Sequence, residues 1–508
     1  MRVNLRRSAL AAFVFASIPV IGAAQDPFPA ANERISLADY AARRAELTKS
    51  IDSGVVLAFG EVEPVFNWPT FFQAPAFEYL TGLGESDAVL VMVKRGGTTT
   101  STLFVPTRTR QEERWIGART PVAELQSKFG VSGRAIGGLD ALIDSLAARK
   151  LPFYTVSDAR AADYTNEDSL TRGSRFLARL RAAHPSLTTT SLDSIVDRLR
   201  GKKSPTEIAL LRKATQISAR GHREAMKALA PGCRENEIQA VLDGTFRRLG
   251  GDRPGYGSIV GGGKNATILH YMDDNDVLRD GDLLLIDAAT SFAHYSSDIT
   301  RTMPVNGKFS PAQREIYQLV RDAQEAFVQQ IKPGVSVTVA NAAGRAVIEK
   351  GLTRLGLIDS VGARFDAPAG LNCPPGGCPQ VALYALHGFG GHGIGLEVHD
   401  PAQYYGPGGI FGVGDVFTVE PGLYISPDDV TGLPDTPRNR AFKAKVMPSV
   451  EKYKWIGVRI EDDYAITSAG VENLSVGAPR EISEIEALMA QPRIEVPGGG
   501  RCGVRGAQ

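Results

Sequence analysis

The chain has 508 residues and a formal net charge of +1, with 43% hydrophobic and 22% charged residues. These values are ordinary for soluble globular proteins and exclude a fibrous or wholly disordered chain, and at ~100 to 200 residues per domain the length allows two or three domains. The near-neutral charge gives no reason to expect a nucleic acid or an acidic membrane as partner. Four cysteines are too few for a disulfide scaffold.

The first residues carry the pattern of a secretory signal peptide. Three arginines precede an apolar run, which ends in small residues at Gly22, Ala23 and Ala24. Pro19 interrupts this run, and no later stretch reaches the ~20 apolar residues that a membrane span needs. The pattern predicts a signal peptide over 1–24 and a secreted or periplasmic protein that does not contact the membrane once the signal is removed.

Two cysteines and the C-terminal tail are further local features. Cys373 and Cys378 bracket a Pro/Gly-rich loop, CPPGGC. In an oxidising compartment they can close a short disulfide, and a pair of free surface thiols is the equally weighted alternative. The glycine-rich tail at 491–508 is expected to be disordered.

Residues 27–200 mix apolar, strand-like runs such as AVLVMV with helical patterns such as LDALIDSLAARK, which predicts an α/β N-terminal domain. A new unit begins at Ser204. This residue can cap a helix, Pro205 suits the first helical position, and Glu207 completes a capping box. Helices then alternate with strand-like segments rich in β-branched residues, so the second domain, 203–490, is predicted to be α+β.

Another helix is expected to begin around Glu235. A third is predicted to begin at Ser310-Pro311 and to run to Pro333-Gly334.

Acidic residues close several apolar strand runs of the second domain. Asp287 follows LLLI, Glu420 follows FTV and Glu461 follows VRI, while Asp298 lies one connection after Asp287. A buried carboxylate is costly unless it is paired or bound to a cation. A hairpin through residues 292–295 can bring Asp287 and Asp298 together, and a divalent cation would relieve the repulsion between them.

Four of the seven histidines lie in two short segments, ILHYMDDN and LHGFGGHGIGLEVHD: His270, His387, His392 and His399. His392 adds one imidazole nitrogen to the four carboxylates. Oxygen donors with a single nitrogen suit Mn²⁺ and similar ions better than a thiolate-type zinc site does. The remaining histidines stand in polar or helical surroundings and are interpreted as surface or structural residues: His184, His222 and His294.

Six segments resemble, in their order along the chain, the motifs of the pita-bread metallopeptidases: NATILHY, IDAAT, SDITRT, GHGIGLEVHD, TVEPGLY and VRIEDD. The resemblance spans about 203–490. The segment FEYLTGLGESDAVLVMV is similar to the N-terminal domain shared by Xaa-Pro aminopeptidases and prolidases, which methionine aminopeptidases lack. The resemblance implies an α+β pita-bread catalytic domain preceded by an α/β N-terminal domain of the creatinase/aminopeptidase P type.

This resemblance implies two divalent metal ions on five ligands: Asp287, Asp298, His392, Glu420 and Glu461. Asp287 and Asp298 would hold one ion, and Asp298, His392 and Glu420 the other. Asp298 and Glu461 would bridge them. Mn²⁺ is the expected ion, with Co²⁺ or Zn²⁺ as alternatives.

The resemblance also gives His270 and His399 substrate-facing roles and places Arg459 beside the last bridging acid. Glu420 is expected to shuttle a proton to the leaving nitrogen. Two departures from the family pattern stand out. HGFGGH has one residue more than the usual spacing, which leaves the register of His387 open, and the stretch from Tyr424 to Tyr453 looks like an insertion that could shape access to the site.

Two metal ions that share a water can lower its pKa toward ~7 and supply a bridging hydroxide for attack on the scissile carbonyl. The expected function is that of an Xaa-Pro aminopeptidase, which removes the first residue of peptides with proline second, as a homodimer or homotetramer. A prolidase restricted to dipeptides is the nearest alternative. A metal-free creatinase-like hydrolase and a non-catalytic peptide-binding module are less favoured, since both typically lose ligand residues.

Overall fold

The computed structural model of the chain describes residues 34–63, 71–156, 172–405, 408–494 and 502. The predicted signal peptide and most of the predicted tail lie outside these residues. All described residues belong to one unit of contacts. Within them, no helix is both long enough and apolar enough to cross a membrane.

The N-terminal domain contains one mixed sheet flanked by helices. Its strands are β1 (Gly54–Phe59), β2 (Val89–Arg95), β3 (Thr98–Val105), β4 (Ser132–Ala135), β5 (Phe153–Val156) and β6 (Thr189–Ser191). Its helices are α1 (Leu37–Lys49), α2 (Pro75–Thr81), α3 (Arg110–Ile116), α4 (Leu125–Phe129), α5 (Leu139–Ala147), α6 (Arg172–Ala183) and α7 (Asp193–Gly201). The strand order is β4-β3-β2-β1-β5-β6, with β1 antiparallel to β2 and parallel to β5.

The central strand β1 is buried along its whole length because helices cover both faces of the sheet. Successive side chains of a strand point to opposite faces. Val56 accordingly packs in the core that contains Phe77 of α2, and Val55 packs in the core that contains Ile143 of α5. The predicted α/β organisation is confirmed.

The second domain begins with α8 and is built from short strands and long helices. Its strands are β7 (Arg253–Pro254), β8 (Ile259–Gly262), β9 (Leu283–Asp287), β10 (Thr290–Phe292), β11 (Tyr295–Ser296), β12 (Thr300–Pro304), β13 (Arg364–Phe365), β14 (Cys378–Pro379), β15 (Gly390–Gly393), β16 (Val416–Val419), β17 (Gly422–Ile425), β18 (Ile456–Arg459), β19 (Asp462–Thr467) and β20 (Gly470–Asn473). Its helices are α8 (Pro205–Ala228), α9 (Glu235–Arg248), α10 (Pro311–Val328), α11 (Val337–Arg354), α12 (Pro427–Thr431), α13 (Pro437–Tyr453) and α14 (Ile482–Met489).

These strands form several small antiparallel sheets, of which two carry the centre of the domain. One has the order β12-β9-β8 and the other the order β15-β16-β19-β20. The largest hydrophobic core joins these sheets to the inner faces of α8 to α11. This is the predicted α+β pita-bread arrangement.

Helix α8 begins where the sequence predicts. The Ser204 hydroxyl accepts a hydrogen bond from the backbone N–H of Glu207, whose side chain returns to Ser204, and Pro205 occupies the first turn. Helix α9 likewise begins at Glu235. Helix α10 ends at Val328 rather than at Pro333. The N–H groups of Gln330 and Ile331 donate to carbonyls three residues back, so the backbone tightens into turns before the proline is reached.

Two strand-like segments of the sequence are each broken at an acidic residue. DVFTVEPGLYI divides into β16 and β17 at Glu420-Pro421, because proline has no N–H to donate to a sheet. WIGVRIEDDYAIT divides into β18 and β19 around Glu461. β16 pairs with β19 and β17 pairs with β18, so the two breaks lie side by side and bring Glu420 and Glu461 close together.

The stretch that looked like an insertion after Tyr424 forms α12 and α13. Thr436 and Arg438, at the start of α13, donate to the carboxylate of Asp366 at 2.6 and 2.7 Å. The segment is therefore ordered against the loop that leads to Cys373 and Cys378.

All four cysteines are paired. Cys373 and Cys378 form a disulfide, which settles the open choice between a bond and two free thiols. Cys233 and Cys502 form a second disulfide across 269 residues, which no local pattern predicts. Cys502 is buried, so the disorder expected for the tail does not include this residue.

Candidate metal centre

Asp287 and Asp298 flank one hairpin, as the sequence predicts. Asp287 ends β9, the chain turns through β10 and β11, and Asp298 follows. The turn places Ala293 and His294 at φ of 48° and 70°, the left-handed conformation that tight hairpins use. The Tyr256 hydroxyl lies 2.6 Å from Asp287 Oδ1 and also hydrogen-bonds Asp298 Oδ1, so one phenol joins both carboxylates.

The other three predicted ligands converge on the same point. His392 Nε2 lies 3.4 Å from Asp298 Oδ2 and 3.6 Å from Glu420 Oε1. One ligand atom from each of Asp298, His392 and Glu461 lies within 4.8 Å of the others. The structure therefore brings all five residues together, although they are distributed from position 287 to position 461.

A bulge carries His392 into this cluster. Gly390 pairs with Val419 and Gly393 with Phe417, so β15 has one residue more than β16 between these pairs. A Cβ on Gly391 would lie 1.7 Å from Glu420 Oε1, so only glycine fits there. The bulge accommodates an extra residue within HGFGGH and keeps His392 in the site.

The state of His392 fits a metal ligand. Its Nδ1 lies 3.1 Å from the carbonyl oxygen of Gly393. A carbonyl oxygen can only accept, so Nδ1 carries the proton. The lone pair of Nε2 then faces Asp298 and Glu420. Burial lowers the pKa of His392 below its ordinary value, so the imidazole is neutral near pH 7, as coordination requires.

The carboxylates also fit a cation. Burial, with the neighbouring acids, raises the pKa of Asp298 and of Glu461 well above the usual range. Burial also opposes ionisation of Asp287, but Arg459 and Tyr256 more than offset it and lower its pKa. Three buried acids in contact are costly to ionise together without positive charge, and oxygen donors with one imidazole suit hard or borderline divalent ions.

Arg459 supports these acids from behind. Its guanidinium donates to Asp287 Oδ2 at 2.5 Å, to the Tyr424 hydroxyl at 2.8 Å and to Thr300 Oγ1 at 3.1 Å. Thr300 in turn donates to Glu461 Oε2 at 2.6 Å. One buried arginine thus orients acids on both sides of the centre.

His387, whose register the sequence left open, lies at the site. Its Nε2 is 2.9 Å from the Tyr424 hydroxyl, and its Nδ1 is 3.8 Å from Glu420 Oε2. Arg459 donates to the same hydroxyl, which leaves the Tyr424 proton for His387. A hydrogen-bonded path therefore runs from Arg459 through Tyr424 to the histidine beside Glu420.

The two predicted substrate-facing histidines lie on loops. The His399 ring packs on the His392 ring with centroids 4.0 Å apart. His270 is exposed to solvent, and the carbonyl of the preceding Leu269 is 3.5 Å from Arg459 Nη2. His399 thus touches a predicted ligand, whereas His270 lies at the rim.

The three remaining histidines have contacts of other kinds. His222 is fully buried beneath the hairpin, with Nε2 2.8 Å from the Ala288 carbonyl, and burial lowers its pKa to about 4. His184 pairs with Asp144 at 3.0 Å, and His294 hydrogen-bonds Glu78 of the N-terminal domain. These contacts agree with a structural interpretation.

Sequence reasoning missed the hydroxyl-bearing residues of the site. Tyr256, Thr300 and Tyr424 each donate to a predicted ligand or to a neighbouring histidine. Thr300 and Tyr424 lie in SDITRT and TVEPGLY, two and four residues after the predicted ligands Asp298 and Glu420. Tyr256, in GYGS, has no such neighbour in the sequence, so no local signal identifies it.

Comparison with known proteins agrees with this fold. Residues 209–468 match the metallopeptidase family M24, and residues 40–152 match the aminopeptidase P N-terminal domain. The chain belongs to metallopeptidase family M24, a family of pita-bread enzymes that use divalent metal ions.

The relatives make the class more specific. The chain is 35% identical to an Xaa-Pro aminopeptidase of Escherichia coli over 470 residues, which are 90% of this chain and 99% of that one. The structure of aminopeptidase PepP of Pseudomonas aeruginosa matches with a TM-score of 0.74 at 32% identity, over 90% of this chain and 98% of the other. Zinc-substituted Escherichia coli aminopeptidase P in complex with product matches with a TM-score of 0.72 at 32% identity, over 91% and 100%.

Proposed function

We propose that this metallopeptidase is an Xaa-Pro aminopeptidase, which hydrolyses the bond between the first residue of a peptide and a proline in second position. The observation that carries the proposal is the convergence of Asp298, His392 and Glu461 within 4.8 Å in a chain that matches an Xaa-Pro aminopeptidase almost end to end. The substrate class comes from the names of the relatives.

Asp287, Asp298, His392, Glu420 and Glu461 are the proposed ligands of two divalent ions. The ions would supply Lewis acidity and an acidified water. Mn²⁺ is the proposed ion because carboxylate oxygens outnumber the single imidazole nitrogen. Co²⁺ and Zn²⁺ are the alternatives to be compared with it.

Glu420 is the proposed proton carrier. Its Oε1 faces His392 Nε2 and accepts from Thr418 Oγ1 at 3.0 Å, whereas its Oε2 faces His387. One oxygen is thus directed to the metal centre while the other can receive a proton and deliver it to the leaving nitrogen. A proline nitrogen forms a tertiary amide without N–H, so it must gain that proton from the enzyme or from water.

Arg459 holds the side chains around the metal centre in position. It binds Asp287, Thr300 and Tyr424 at once, and its charge is buried at 3% exposure. We assign it a positioning role behind the acids. His270 and His399 are the proposed donors to the substrate, one from the rim and one from beside His392.

Peptide assays with controlled metal content test the proposal. Metal-stripped protein should be inactive and should recover with Mn²⁺ as it cleaves Xaa-Pro-Xaa tripeptides and releases the first amino acid. Xaa-Ala-Xaa peptides of the same length are the matched substrate control. Cleavage of Xaa-Pro dipeptides alone would favour a prolidase, and full activity without metal would reject the metal assignment.

We also infer that the protein is exported. The N-terminal segment has the pattern of a signal peptide, and all four cysteines are in disulfides, which persist in oxidising compartments and are rare in the cytosol. N-terminal sequencing of the protein from its native source should begin near Gln25. A retained N-terminus would contradict export by signal cleavage. A homodimer or homotetramer is proposed from the family resemblance, and light scattering of the purified protein tests it.

A further inference from the structure

The loop that carries His399 has a closed base. It comprises residues 394–399, which we call the His399 loop. The chain leaves Gly393 and returns at Asp400, whose N–H donates to the Gly393 carbonyl at 2.8 Å in an isolated β-bridge. His399 is therefore the last residue before the loop closes at Asp400, and His392 directly precedes Gly393, where the loop opens.

Two cations from the segment that joins the domains hold the carboxylate of Asp400. Arg200, in α7, donates to Oδ1, and Lys203, just before α8, donates to Oδ2 at 2.7 Å. Arg200 also reaches Glu397 within the loop at 2.5 Å, and Lys203 reaches the Pro401 carbonyl at 2.9 Å. Two side chains of the short segment 200–203 thus donate to four acceptors in and beside the base of the loop.

The cluster is almost wholly removed from water. The side chains of Arg200, Lys203 and Asp400 are 6%, 1% and 3% exposed. Burial alone would raise the pKa of Asp400, but the two cations more than offset this and lower it, so the carboxylate is ionised at neutral pH. Loss of one partner would leave an uncompensated charge in a buried place.

The loop folds directly onto this carboxylate. A Cβ on Gly395 would lie 2.3 Å from Asp400 Oδ2, and one on Gly393 would lie 2.4 Å from the Asp400 carbonyl oxygen. The Gly395 carbonyl accepts from the N–H of Ser296, in the hairpin between Asp287 and Asp298. The path of the loop is thus fixed on one side by Asp400 and on the other by the hairpin.

We propose that Arg200, Lys203 and Asp400 form an interdomain clamp that positions His399 for the substrate. None of the three side chains touches the five predicted ligands in the described contacts, so they act through the loop. The inference depends on the proposed function, because it takes His399 as a substrate-facing residue. It gives the junction between the domains a part in catalysis beyond that of a connector.

A double-mutant cycle between Asp400 and His399 tests the clamp. Asp400→Asn should lower kcat/KM for an Xaa-Pro-Xaa tripeptide by about 10- to 100-fold, since a misplacement of about 1 Å in a substrate-binding group can cost as much. In a His399→Ala background the same substitution should cost less than about 3-fold, because residues that act as a unit are not additive. Equal losses in both backgrounds would overturn the clamp.

A second substitution keeps the test available if Asp400→Asn does not fold. Lys203→Met removes one cation and leaves Asp400 paired with Arg200. It should follow the same pattern with a smaller loss in the wild-type background. Metal content, measured by mass spectrometry, should equal that of the wild type in every variant, and a loss of metal would show that the substitution acts on the ligands rather than on His399.

Glu207→Gln is the matched control. Glu207 forms another buried ion pair between the domains, with Arg43 at 3.1 Å, and glutamine keeps the acceptor for the capping bond at Ser204. Glu207 also accepts from the Tyr295 hydroxyl at 3.0 Å, in the hairpin beside the His399 loop, and glutamine can keep a hydrogen bond there. This variant should lose stability yet keep kcat/KM within about 3-fold, since Glu207 makes no described bond to the His399 loop itself. A loss as large as that of Asp400→Asn would show general loosening of the domains and would also overturn the clamp.

The outcomes separate the clamp from the proposed function. If wild-type protein with Mn²⁺ does not cleave Xaa-Pro-Xaa peptides, the proposed function fails. If the wild type is active and the cycle is additive, only the clamp fails.

Discussion

Three acids of the candidate site stand where paired strands end, whereas three histidines stand on loops or turns. We call the first group the floor: Asp287, Asp298 and Glu461. We call the second group the wall: His270, His387 and His399. The floor residues are at most 9% exposed, while His270 is exposed and the other two are partly so.

The two groups are held by different kinds of contact. In the floor, backbone pairing positions the acids: Thr300 pairs with Asp287, and the N–H of Glu461 donates to the Thr300 carbonyl at 3.1 Å. In the wall, side chains bind loops. Glu235 holds the loop that contains His270. It accepts from two groups before this histidine, Gly262 N–H and Asn265 Nδ2, and from two groups after it, the Tyr271 hydroxyl and Asp276 N–H.

This difference predicts two kinds of defect. Because the floor supplies proposed metal ligands, damage there should cost metal and activity together. Because the wall includes the two proposed substrate-facing histidines, damage there should cost activity while the metal stays bound. Metal content and turnover, measured on the same samples, separate the two.

The largest effect is expected from the floor. Asp298→Ala removes the acid that contacts both Tyr256 and His392, and turnover should be abolished with metal content reduced to near background. Asp322→Ala, at an exposed acid of α10, is the control and should behave as the wild type. Normal activity in Asp298→Ala would reject the site assignment.

A change one contact away from the ligands should be smaller. Thr300→Val keeps the shape but removes the hydroxyl that donates to Glu461 at 2.6 Å, so metal affinity should fall about 10- to 100-fold by calorimetric titration. Thr302→Val is matched in strand and burial, but its hydroxyl donates to the Arg459 carbonyl and not to an acid. Equal losses in both variants would show that packing, not the hydroxyl, sets the affinity.

The wall should respond differently. Glu235→Gln disturbs the four bonds that hold the His270 loop, so kcat/KM should fall about 10-fold, within the range that small misplacements of substrate-binding groups cost. Metal affinity should stay unchanged. Glu237→Gln, two residues along the same helix, is the control. A parallel loss of metal in Glu235→Gln would erase the distinction between floor and wall.

The smallest effect on turnover is expected far from both groups. Replacing Cys373 and Cys378 by serine opens a six-residue loop, which should lower stability by about 2 kcal/mol on chain-entropy grounds. Turnover should stay within about 2-fold, because this loop is tied to α13 and not to the ligands. Thermal unfolding and steady-state kinetics check both points. A large loss of turnover would show that this loop, like the wall, contributes to activity.

The floor could be predicted from the sequence because its signal is local. A run of apolar residues that ends in an acid predicts a buried carboxylate, and Asp287 and Glu461 of the floor follow that pattern, as does the neighbouring Glu420. The hairpin between Asp287 and Asp298 is short enough to infer from spacing alone. The order of the motifs then gave the fold class.

The wall could be predicted only in part. The position of His387 depends on a bulge at Gly391, which absorbs a residue that spacing alone could not place. The bonds of Tyr256 to Asp287 and of Asp400 to Lys203 join residues 31 and 197 positions apart, so only the folded chain brings them together. The Cys233–Cys502 pair was missed for the same reason.

The scatter of the ligands along the chain also bears on how the enzyme acquires its activity. Asp287 and Asp298 belong to a region of local hairpins, whereas Glu461 joins them through Thr300, which lies 161 residues earlier in the chain. Contacts between distant parts of a chain form slowly, and ions that need such contacts bind only as folding finishes. A fragment or a half-folded chain therefore lacks a complete set of ligands, and hydrolysis begins only with the finished molecule.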